Sequence, residues 1–406
     1  MLRDTIFFVR LGSCIALEVA TGVLTLSAAA WGIAFAAGAV RGEPHRERVA
    51  AVAVPVAPAV APAVDRTPAA VDRTPPPAPP LDAGAAAVAA TIDDPDIEIE
   101  PTIDAGPPAG ALTPDWTFIG QPDEVLLAPL RTGDVARVKF NGGGSSLSIR
   151  LEFADGSKAA FKPDQIHRQS DPRKEIAAYR IDRLLALGRV PPAIGRSFPM
   201  RELTAKVASS HREYAHRLVD EAVPRGGVLR GELSWWIPVL GTGYVDGKYK
   251  IDGAEGVSRW KRWLQADGEI PAADLAMCQQ LSNVTVFDFL IDNLDRWSGG
   301  NAITTEDGST LYFMDNQMAF SLDSRGHRKS HGNLERVEKF SRALVGRLRV
   351  LDEAMLREVL APDTGPFDQL LTGPEIKALL ARRDVFLGYV DELIARHGEA
   401  KVLAFP

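Results

Sequence analysis

The chain has 406 residues, with 46 Lys and Arg against 53 Asp and Glu, and a net charge of −7. An acidic chain gives no electrostatic reason to expect a nucleic-acid partner, so we predict none. Its two cysteines are Cys14 and Cys278, and only Cys278 lies in a stretch of globular composition, which excludes a disulfide there. The seven histidines are scattered and lack the spacing of a zinc site.

The N-terminal region contains one long apolar segment. Residues 19–40 carry no charge and are long enough to span a bilayer. We predict a single-pass N-terminal membrane anchor within residues 1–41. A cleaved signal peptide is the alternative, because small residues end the segment. Arginines on both sides leave the orientation, and thus the side of the downstream domain, open.

A region rich in Ala, Pro and Val follows. The motif "AVDRTP" occurs at 63–68 and again at 70–75. Such a sequence cannot bury a core, so we predict that residues 42–111 form a disordered linker. Globular composition begins near Thr113, which leaves residues 112–406 as the folded domain.

The globular part opens with strands around a glycine-rich loop. A strand at 134–140 precedes "NGGGSS", and "LEFADGSKAAFKP" reads as a hairpin with an Asp-Gly turn. Glycines let a backbone approach a phosphate closely. We therefore predict that the nucleotide-binding glycines are Gly142, Gly143 and Gly144. The alternative is that they form a flexible surface loop. Lys162 lies on the returning strand and reads either as a phosphate ligand or as a snorkelling surface lysine.

A helix and a crossover segment come next. The pattern over 171–187 predicts a helix with Asp171 at its N-cap, and Glu175 falls in its first turn. A first-turn glutamate is common because it complements the helix dipole. The segment "GELSWWIPVL" at 231–240 reads as a connection between lobes, where Trp236 and Ile237 would contact a nucleotide. An ordinary buried strand is the alternative.

The second half supplies two aspartates on loops. Apolar residues at helical spacing predict a helix over 271–294 that delivers Asp295 at its end, and Asn301 follows a Gly-Gly break. Segments 302–305 and 310–315 predict a hairpin whose second strand ends at Asp315. A carboxylate at the end of a buried strand is costly unless it is paired or binds a metal.

The tail over 333–397 reads as three helices, the last starting with a capping box from Thr372 to Glu375. These helices look like scaffold.

The order of these features is that of a protein-kinase-like active site. Phosphoryl transfer needs the phosphates cradled, their charge neutralised, and an acceptor hydroxyl aligned. Lys162 would hold the phosphates and Glu175 would fix the lysine. Asp295 would accept the substrate proton. Asn301 and Asp315 would bind Mg²⁺ or Mn²⁺, hard cations that prefer oxygen ligands.

Four segments carry a family resemblance: "AAFKP", "EIAAYRIDRLLALGRVPP", "DNLDRWSGGN" and "MDN". They resemble the atypical kinases of the secretory pathway, the four-jointed and Golgi casein kinase family, which is distantly akin to HipA-type and phosphatidylinositol kinases. The resemblance implies an α+β, two-lobed protein-kinase-like fold, with a β-rich N-lobe at 112–238 and a helical C-lobe at 239–406. It also implies ATP and a divalent metal, often Mn²⁺. By motif, the matching site residues are Lys162, Glu175, Asp295 and Asp315.

The chain departs from kinase patterns at several points. Asn316 and Gln317 stand where ordinary kinases have Phe-Gly, so an ordinary activation-loop switch is not expected. Asn301 lies one residue further from Asp295 than usual, and Trp297 stands where relatives often have His.

These features together predict a membrane-tethered kinase that uses ATP and a divalent metal and acts on a hydroxyl, foremost of protein Ser or Thr. The alternatives are a small-molecule, lipid or glycan kinase, nucleotidyl transfer on the same fold, and a nucleotide-binding pseudokinase scaffold. Retention of Lys162, Asp295 and Asp315 argues against the pseudokinase.

Overall fold

The computed structural model describes residues 116–142, 145–297 and 300–406. The predicted anchor in 1–41 and the predicted linker over 42–111 lie outside the described residues, as do Gly143 and Gly144. Within the described ranges, no helix combines the length and the apolar character needed to cross a membrane.

A five-stranded antiparallel sheet forms the first half of the fold. A short hairpin, β1 (Thr117–Phe118) and β2 (Gln121–Pro122), leads into helix α1 (Asp123–Thr132). The strands of the large sheet are β3 (Val135–Phe140), β4 (Ile149–Phe153), β5 (Lys158–Pro163), β6 (Ala193–Pro199) and β7 (Val228–Trp235), in the order β3-β4-β5-β7-β6. The predicted hairpin is therefore confirmed as β4 and β5.

The register of the sheet decides which side chains meet. Phe161 of β5 lies opposite Leu233 of β7, and both are buried in the core. Because side chains alternate along a strand, Lys162 and its cross-strand partner Glu232 point to the other face. The polar face of the sheet thus carries the lysine.

Helix α2 (Pro172–Leu184) follows β5 and confirms the helix predicted over 171–187. Asp171 flanks its start, but its side chain makes no capping hydrogen bond and pairs with Arg173 at 2.9 Å instead. Most residues of α2 are buried, because the helix packs against the sheet and against helix α9 of the tail. Helices α3 (Met200–Ala205) and α4 (His216–Glu221) lie between β6 and β7.

The chain then passes to the helical half. Short strands β8 (Gly241–Thr242), β9 (Tyr244–Val245) and β10 (Tyr249–Lys250) precede helices α5 (Ala254–Trp263) and α6 (Leu275–Ile291). Helix α6 ends before the predicted 294, because Asp292 adopts a left-handed conformation with φ of 55°. Asp295 therefore lies on the loop beyond the helix and not at its end.

The predicted hairpin over 302–315 is wrong in its second strand. Strand β11 (Ile303–Thr304) pairs with β8. It meets the following segment at one antiparallel bridge, Thr304–Leu311, flanked by a backbone hydrogen bond from Thr305 N to Thr310 O at 2.9 Å. The backbone N–H groups of residues 311–313 donate to three separate acceptors: a side-chain oxygen of Gln280, the carbonyl of Ile303 and the carbonyl of Arg189. Because these acceptors lie on different elements, no continuous ladder forms.

The tail matches the prediction of three principal helices. They are α8 (Arg342–Val350), α9 (Glu353–Leu360) and α10 (Gly373–His397), and the short helices α7 (Arg328–Leu334) and α11 (Glu399–Val402) flank them. The capping box of Thr372 and Glu375 at the start of α10 is confirmed.

Candidate active site

Lys162 and Asp315 form the centre of the site. The ammonium Nζ of Lys162 lies 2.8 Å from Oδ1 of Asp315. Burial alone would lower the pKa of Lys162, but the neighbouring carboxylates, Asp315 first, outweigh it and raise that pKa. Lys162 in turn lowers the pKa of Asp315. Both groups are therefore charged at neutral pH.

Asp315 occupies an unusual backbone position. Its φ is +61°, a left-handed conformation that residues other than glycine adopt uncommonly. It lies on an irregular segment, whereas the sequence predicted the end of a strand. Its side chain contacts Lys162 and is 46% exposed. Strain of this kind is tolerated where the surroundings hold the residue in place, which here presents an open carboxylate.

Glu175 is buried but is not paired directly with Lys162, contrary to the sequence-based expectation. Its carboxylate accepts hydrogen bonds from the backbone N of Asn316 at 2.5 Å and from Nδ2 of Asn316 at 3.0 Å. Burial raises the pKa of Glu175, and the nearby charge of Lys162 opposes that rise. Glu175 is therefore near Lys162 without a hydrogen bond to it, and is positioned by Asn316.

Asp295 is oriented by two asparagines. Its backbone N donates to Oδ1 of Asn293 at 3.0 Å. Nδ2 of Asn301 donates to Oδ2 of Asp295 at 2.9 Å and to its carbonyl at 3.1 Å. The long spacing between Asp295 and Asn301 thus still brings them together. Nδ2 of Asn293 also donates to the carbonyl of Asp315 at 3.3 Å, so one residue links both aspartates.

The residues present fit a divalent cation that is bound together with phosphates. Among the described residues, no three His, Cys, Asp or Glu side chains converge as a metal cage of their own. Mg²⁺ in phosphoryl-transfer sites is held by one or two carboxylates plus the substrate phosphates. Asp315 offers an accessible carboxylate. The amide nitrogen of Asn301 donates to Asp295, and its amide oxygen is available to a ligand. The metal would supply charge neutralisation of the phosphates.

The nucleotide-binding candidates lie on separate elements. Gly142 is exposed, and a Cβ added there would meet open space, so sterics do not require glycine at this position. Trp236 follows β7, and the Arg150 guanidinium lies 5.1 Å from its ring centroid. Ile237 is buried with Phe118 and Tyr312, which leaves only its backbone to meet a nucleotide.

Glu232 was missed by the sequence reasoning. It lies directly across the sheet from Lys162, is 1% exposed, and accepts a hydrogen bond from the Ser234 hydroxyl at 2.8 Å. Burial, reinforced by the charge of Glu175, raises its pKa to about 8. In the sequence, the feature that could have indicated Glu232 is that it is the one acidic residue within the strand segment "GELSW".

A second missed feature is a buried ion pair behind the site. The guanidinium of Arg296 contacts both carboxylate oxygens of Asp288 at 3.1 and 3.2 Å, and Arg296 also donates to the carbonyl of Met314. Burial raises the pKa of Asp288 to about 6 although Arg296 opposes it. Asp288 lies on α6, so the pair ties the loop of Asp295 to that helix. A charged residue within the apolar pattern of the helix was the signal in the sequence.

No protein-family model matches the chain. Among curated proteins, it is 26% identical over 333 residues to a glycosaminoglycan xylosylkinase of Danio rerio, a match that covers 70% of this chain and 79% of that protein. It is 25% identical over 311 residues to the mouse pseudokinase FAM20A, covering 64% of this chain and 56% of that protein. It is 23% identical over 327 residues to the human extracellular serine/threonine protein kinase FAM20C, covering 68% of this chain and 55% of that protein.

Solved structures show the same fold. The Golgi casein kinase with Mn and ADP bound superposes with a TM-score of 0.54 at 17% identity, covering 69% of this chain and 78% of the other. The structure of hydra Fam20 with sugar superposes with a TM-score of 0.52 at 19% identity, covering 68% of this chain and 90% of the other. The kinase-like fold and the resemblance to the secretory-pathway kinases are thereby confirmed, and the kinases among the relatives agree with the expectation of a phosphotransferase. The Mn and ADP in the solved Golgi casein kinase are the type of ligand expected here, a nucleotide and a divalent metal. The chain is similar to the Fam20 kinases over about two thirds of its length.

Proposed function

We propose that this chain transfers the γ-phosphate of ATP to a hydroxyl group, with a divalent metal bound at Asp315. The observation that carries the proposal is the meeting of Lys162 and Asp315 at 2.8 Å, with Asn293 joining the loop of Asp315 to that of Asp295. A phosphate-binding lysine, a metal-binding aspartate and a proton-accepting aspartate are thus held in one site by direct contacts and by Asn293.

Each group has one task. Lys162 binds phosphate oxygens with a charge that its carboxylate neighbours maintain. Asp315 holds the metal. Asp295, oriented by Asn293 and Asn301, accepts the proton of the acceptor hydroxyl as the phosphoryl group leaves ATP.

The retained charged groups support catalysis over a scaffold role. The relatives include both kinases and the pseudokinase FAM20A, so homology alone does not decide. Lys162, Asp295 and Asp315 are all present here and arranged for use. Nucleotidyl transfer would use the same residues with a reversed nucleotide, and the product mass separates the two reactions.

The acceptor that we propose is the hydroxyl of a protein Ser or Thr, as in the name of human FAM20C. A sugar hydroxyl is the second candidate. The xylosylkinase match extends over 79% of that protein, compared with 55% of FAM20C, which favours testing a glycan acceptor in parallel.

We further propose that residues 19–40 anchor the chain in a membrane. The support is the absence of charge over a length that suits a bilayer. Carbonate extraction of expressing cells should leave the full-length chain in the membrane pellet, and a chain lacking residues 1–41 in the supernatant. Recovery of both in the supernatant would overturn the anchor.

The experiment for the catalytic proposal uses the full-length chain with ATP and Mn²⁺ or Mg²⁺, and mass spectrometry of the products. Dephosphorylated casein and a β-xyloside serve as separate acceptors, and Asp295→Ala is the control. Metal-dependent phosphate gain on one acceptor, lost in the control, is the expected result. Gain of AMP would replace the proposal by nucleotidyl transfer. Metal-dependent nucleotide binding without transfer to either acceptor or to the chain itself would favour the pseudokinase.

A further inference from the structure

Asn316 is a fully buried polar residue directly after Asp315. Its side chain uses all four of its hydrogen-bonding positions. Nδ2 donates to Oε1 of Glu175 at 3.0 Å and to the carbonyl of Phe313 at 2.8 Å. Oδ1 accepts from Nδ2 of Asn293 at 3.0 Å and from a guanidinium nitrogen of Arg296 at 3.0 Å. Since a carboxylate only accepts and a guanidinium only donates, these partners fix which way the amide points.

These contacts join three parts of the site. Glu175 belongs to helix α2, Asn293 and Arg296 to the loop of Asp295, and Asn316 itself to the segment of Asp315. The backbone N of Asn316 adds a second bond to Glu175 at 2.5 Å. The next residue extends the link, because the Ser170 hydroxyl, just before α2, donates to Oε1 of Gln317 at 2.5 Å.

The position of this residue has a mechanistic meaning. In ordinary protein kinases, the placement of the corresponding helix glutamate is controlled by ordering the loop that follows the metal aspartate. Here the glutamate is already held by the buried side chain of Asn316 from that segment, whose four hydrogen-bonding positions are all used. Buried networks of this kind favour one arrangement strongly.

We propose that Asn316 is a positioning residue that holds helix α2 against the loop of Asp295 and so keeps the kinase site assembled without a separate ordering step. The proposal deepens the proposed kinase function and rests on it for the role of Glu175. The docking of α2 on Asn316 is a structural claim that is tested without turnover.

The first test is hydrogen–deuterium exchange on the full-length chain. In Asn316→Ala, amides within Pro172–Leu184 should exchange about ten-fold faster or more. The helix loses the hydrogen bond between Glu175 and the Asn316 side chain, and with it the connection through Asn316 to the Asp295 loop. Asn333→Ala is the matched control, since Asn333 is also a buried asparagine but lies on α7 outside this network. Unchanged exchange of α2 in Asn316→Ala, or equal acceleration in both variants, would overturn the proposal.

The second test is a double-mutant cycle that reads the affinity for ATP in the presence of Mn²⁺. Asn316→Asp turns a donor into a carboxylate oxygen that faces Glu175, so binding should weaken by about 10- to 100-fold. In a Glu175→Gln background the same change should cost about three-fold or less, because the glutamine amide donates to the new carboxylate. Equal losses in both backgrounds would show that Asn316 does not act through Glu175.

The two arms separate the possible failures. If the chain binds nucleotide and transfers no phosphate, the exchange experiment and the binding cycle still decide the role of Asn316. If transfer occurs and the cycle is additive, the kinase stands and the positioning role falls. Should Asn316→Asp fail to fold, as judged by loss of its cooperative thermal transition, the exchange data on Asn316→Ala decide alone.

Discussion

The candidate site has two halves that differ in their exposure to solvent. The open half consists of Lys162, Asp295, Asn301 and Asp315, whose side chains are partly or largely accessible. Its contacts are few and exchangeable: the Lys162–Asp315 pair occupies positions that phosphate and metal would take. An open arrangement suits groups that must change partners during a reaction.

The sealed half consists of Glu175, Asp288, Arg296 and Asn316, all nearly inaccessible to water. Its members are joined by direct hydrogen bonds, and none of them needs to change partner when a nucleotide binds. The difference shows that the two halves have different roles. The exposed charged groups carry out the chemistry, and the buried network fixes their positions. Substitutions in the two halves should therefore fail in different ways.

The largest expected effect is on transfer through the open half. Asp295→Ala should lower the rate of phosphate transfer by about 10²- to 10⁴-fold, because the acceptor proton loses its base. Nucleotide binding should stay close to wild type. Asp315→Ala should lose both transfer and the metal-dependent part of nucleotide binding. Rates come from labelled-phosphate transfer, and binding from calorimetry with and without Mn²⁺.

Thermal stability is the control for this pair. Both aspartates are accessible, so neither variant should unfold early. Wild-type turnover in both variants would show that the open half is not the catalytic centre. A loss of metal-dependent binding in Asp295→Ala alone would mean that the two aspartates have exchanged roles.

Substitutions in the sealed half should lower the stability of the folded chain. Arg296→Met leaves the Asp288 carboxylate buried without its partner, which should lower the free energy of unfolding by about 3–5 kcal/mol at neutral pH. The loss should shrink toward pH 5, because the pKa of Asp288, already raised to about 6, rises further without the guanidinium and the carboxyl then binds a proton. Urea denaturation at several pH values measures both effects.

The double variant separates charge from packing. Asp288→Asn combined with Arg296→Met removes both charges and should recover a large part of the stability lost by Arg296→Met alone. If the double variant is as unstable as the sum of its single changes, the pair contributes through shape and not through charge.

The sequence predicted the open half and missed most of the sealed half, for a physical reason. Lys162, Asp295 and Asp315 each stand out locally, as a charge on an apolar strand or on a loop after a helix. The sealed half depends on contacts such as that of Asn316 with Glu175, 141 positions away in the chain. No local period or composition reports such a contact. Helix α6 was expected to run to 294 because Leu294 keeps the apolar spacing, whereas the left-handed Asp292 ends it earlier.

Glu232 sharpens the comparison because it is buried like the sealed half, yet it belongs to no ion pair among the described residues. Its pKa in the folded chain is raised to about 8 from an ordinary 4.5. The folded state therefore favours the protonated carboxyl, and this contribution to stability is present at low pH and lost as the pH rises through the folded value. Between about pH 5 and pH 8, the wild type should lose up to about 1.4 kcal/mol per pH unit relative to Glu232→Gln, measured as the difference in unfolding free energy.

Glu152→Gln is the matched control for this effect, since Glu152 lies on the same sheet. Burial acts to raise the pKa of Glu152, but the positive charges of Lys139, Arg150 and Arg137 outweigh it and lower that pKa. The sign is therefore reversed: the ionised carboxylate stabilises the fold above the ordinary pKa, and removing it should cost stability at neutral pH and not at pH 3. Opposite slopes for the two variants would establish that Glu232 is held protonated behind Lys162. Parallel slopes would mean that Lys162 keeps Glu232 ionised in the folded chain, and Glu232 would then join the open half as a fixed counter-charge.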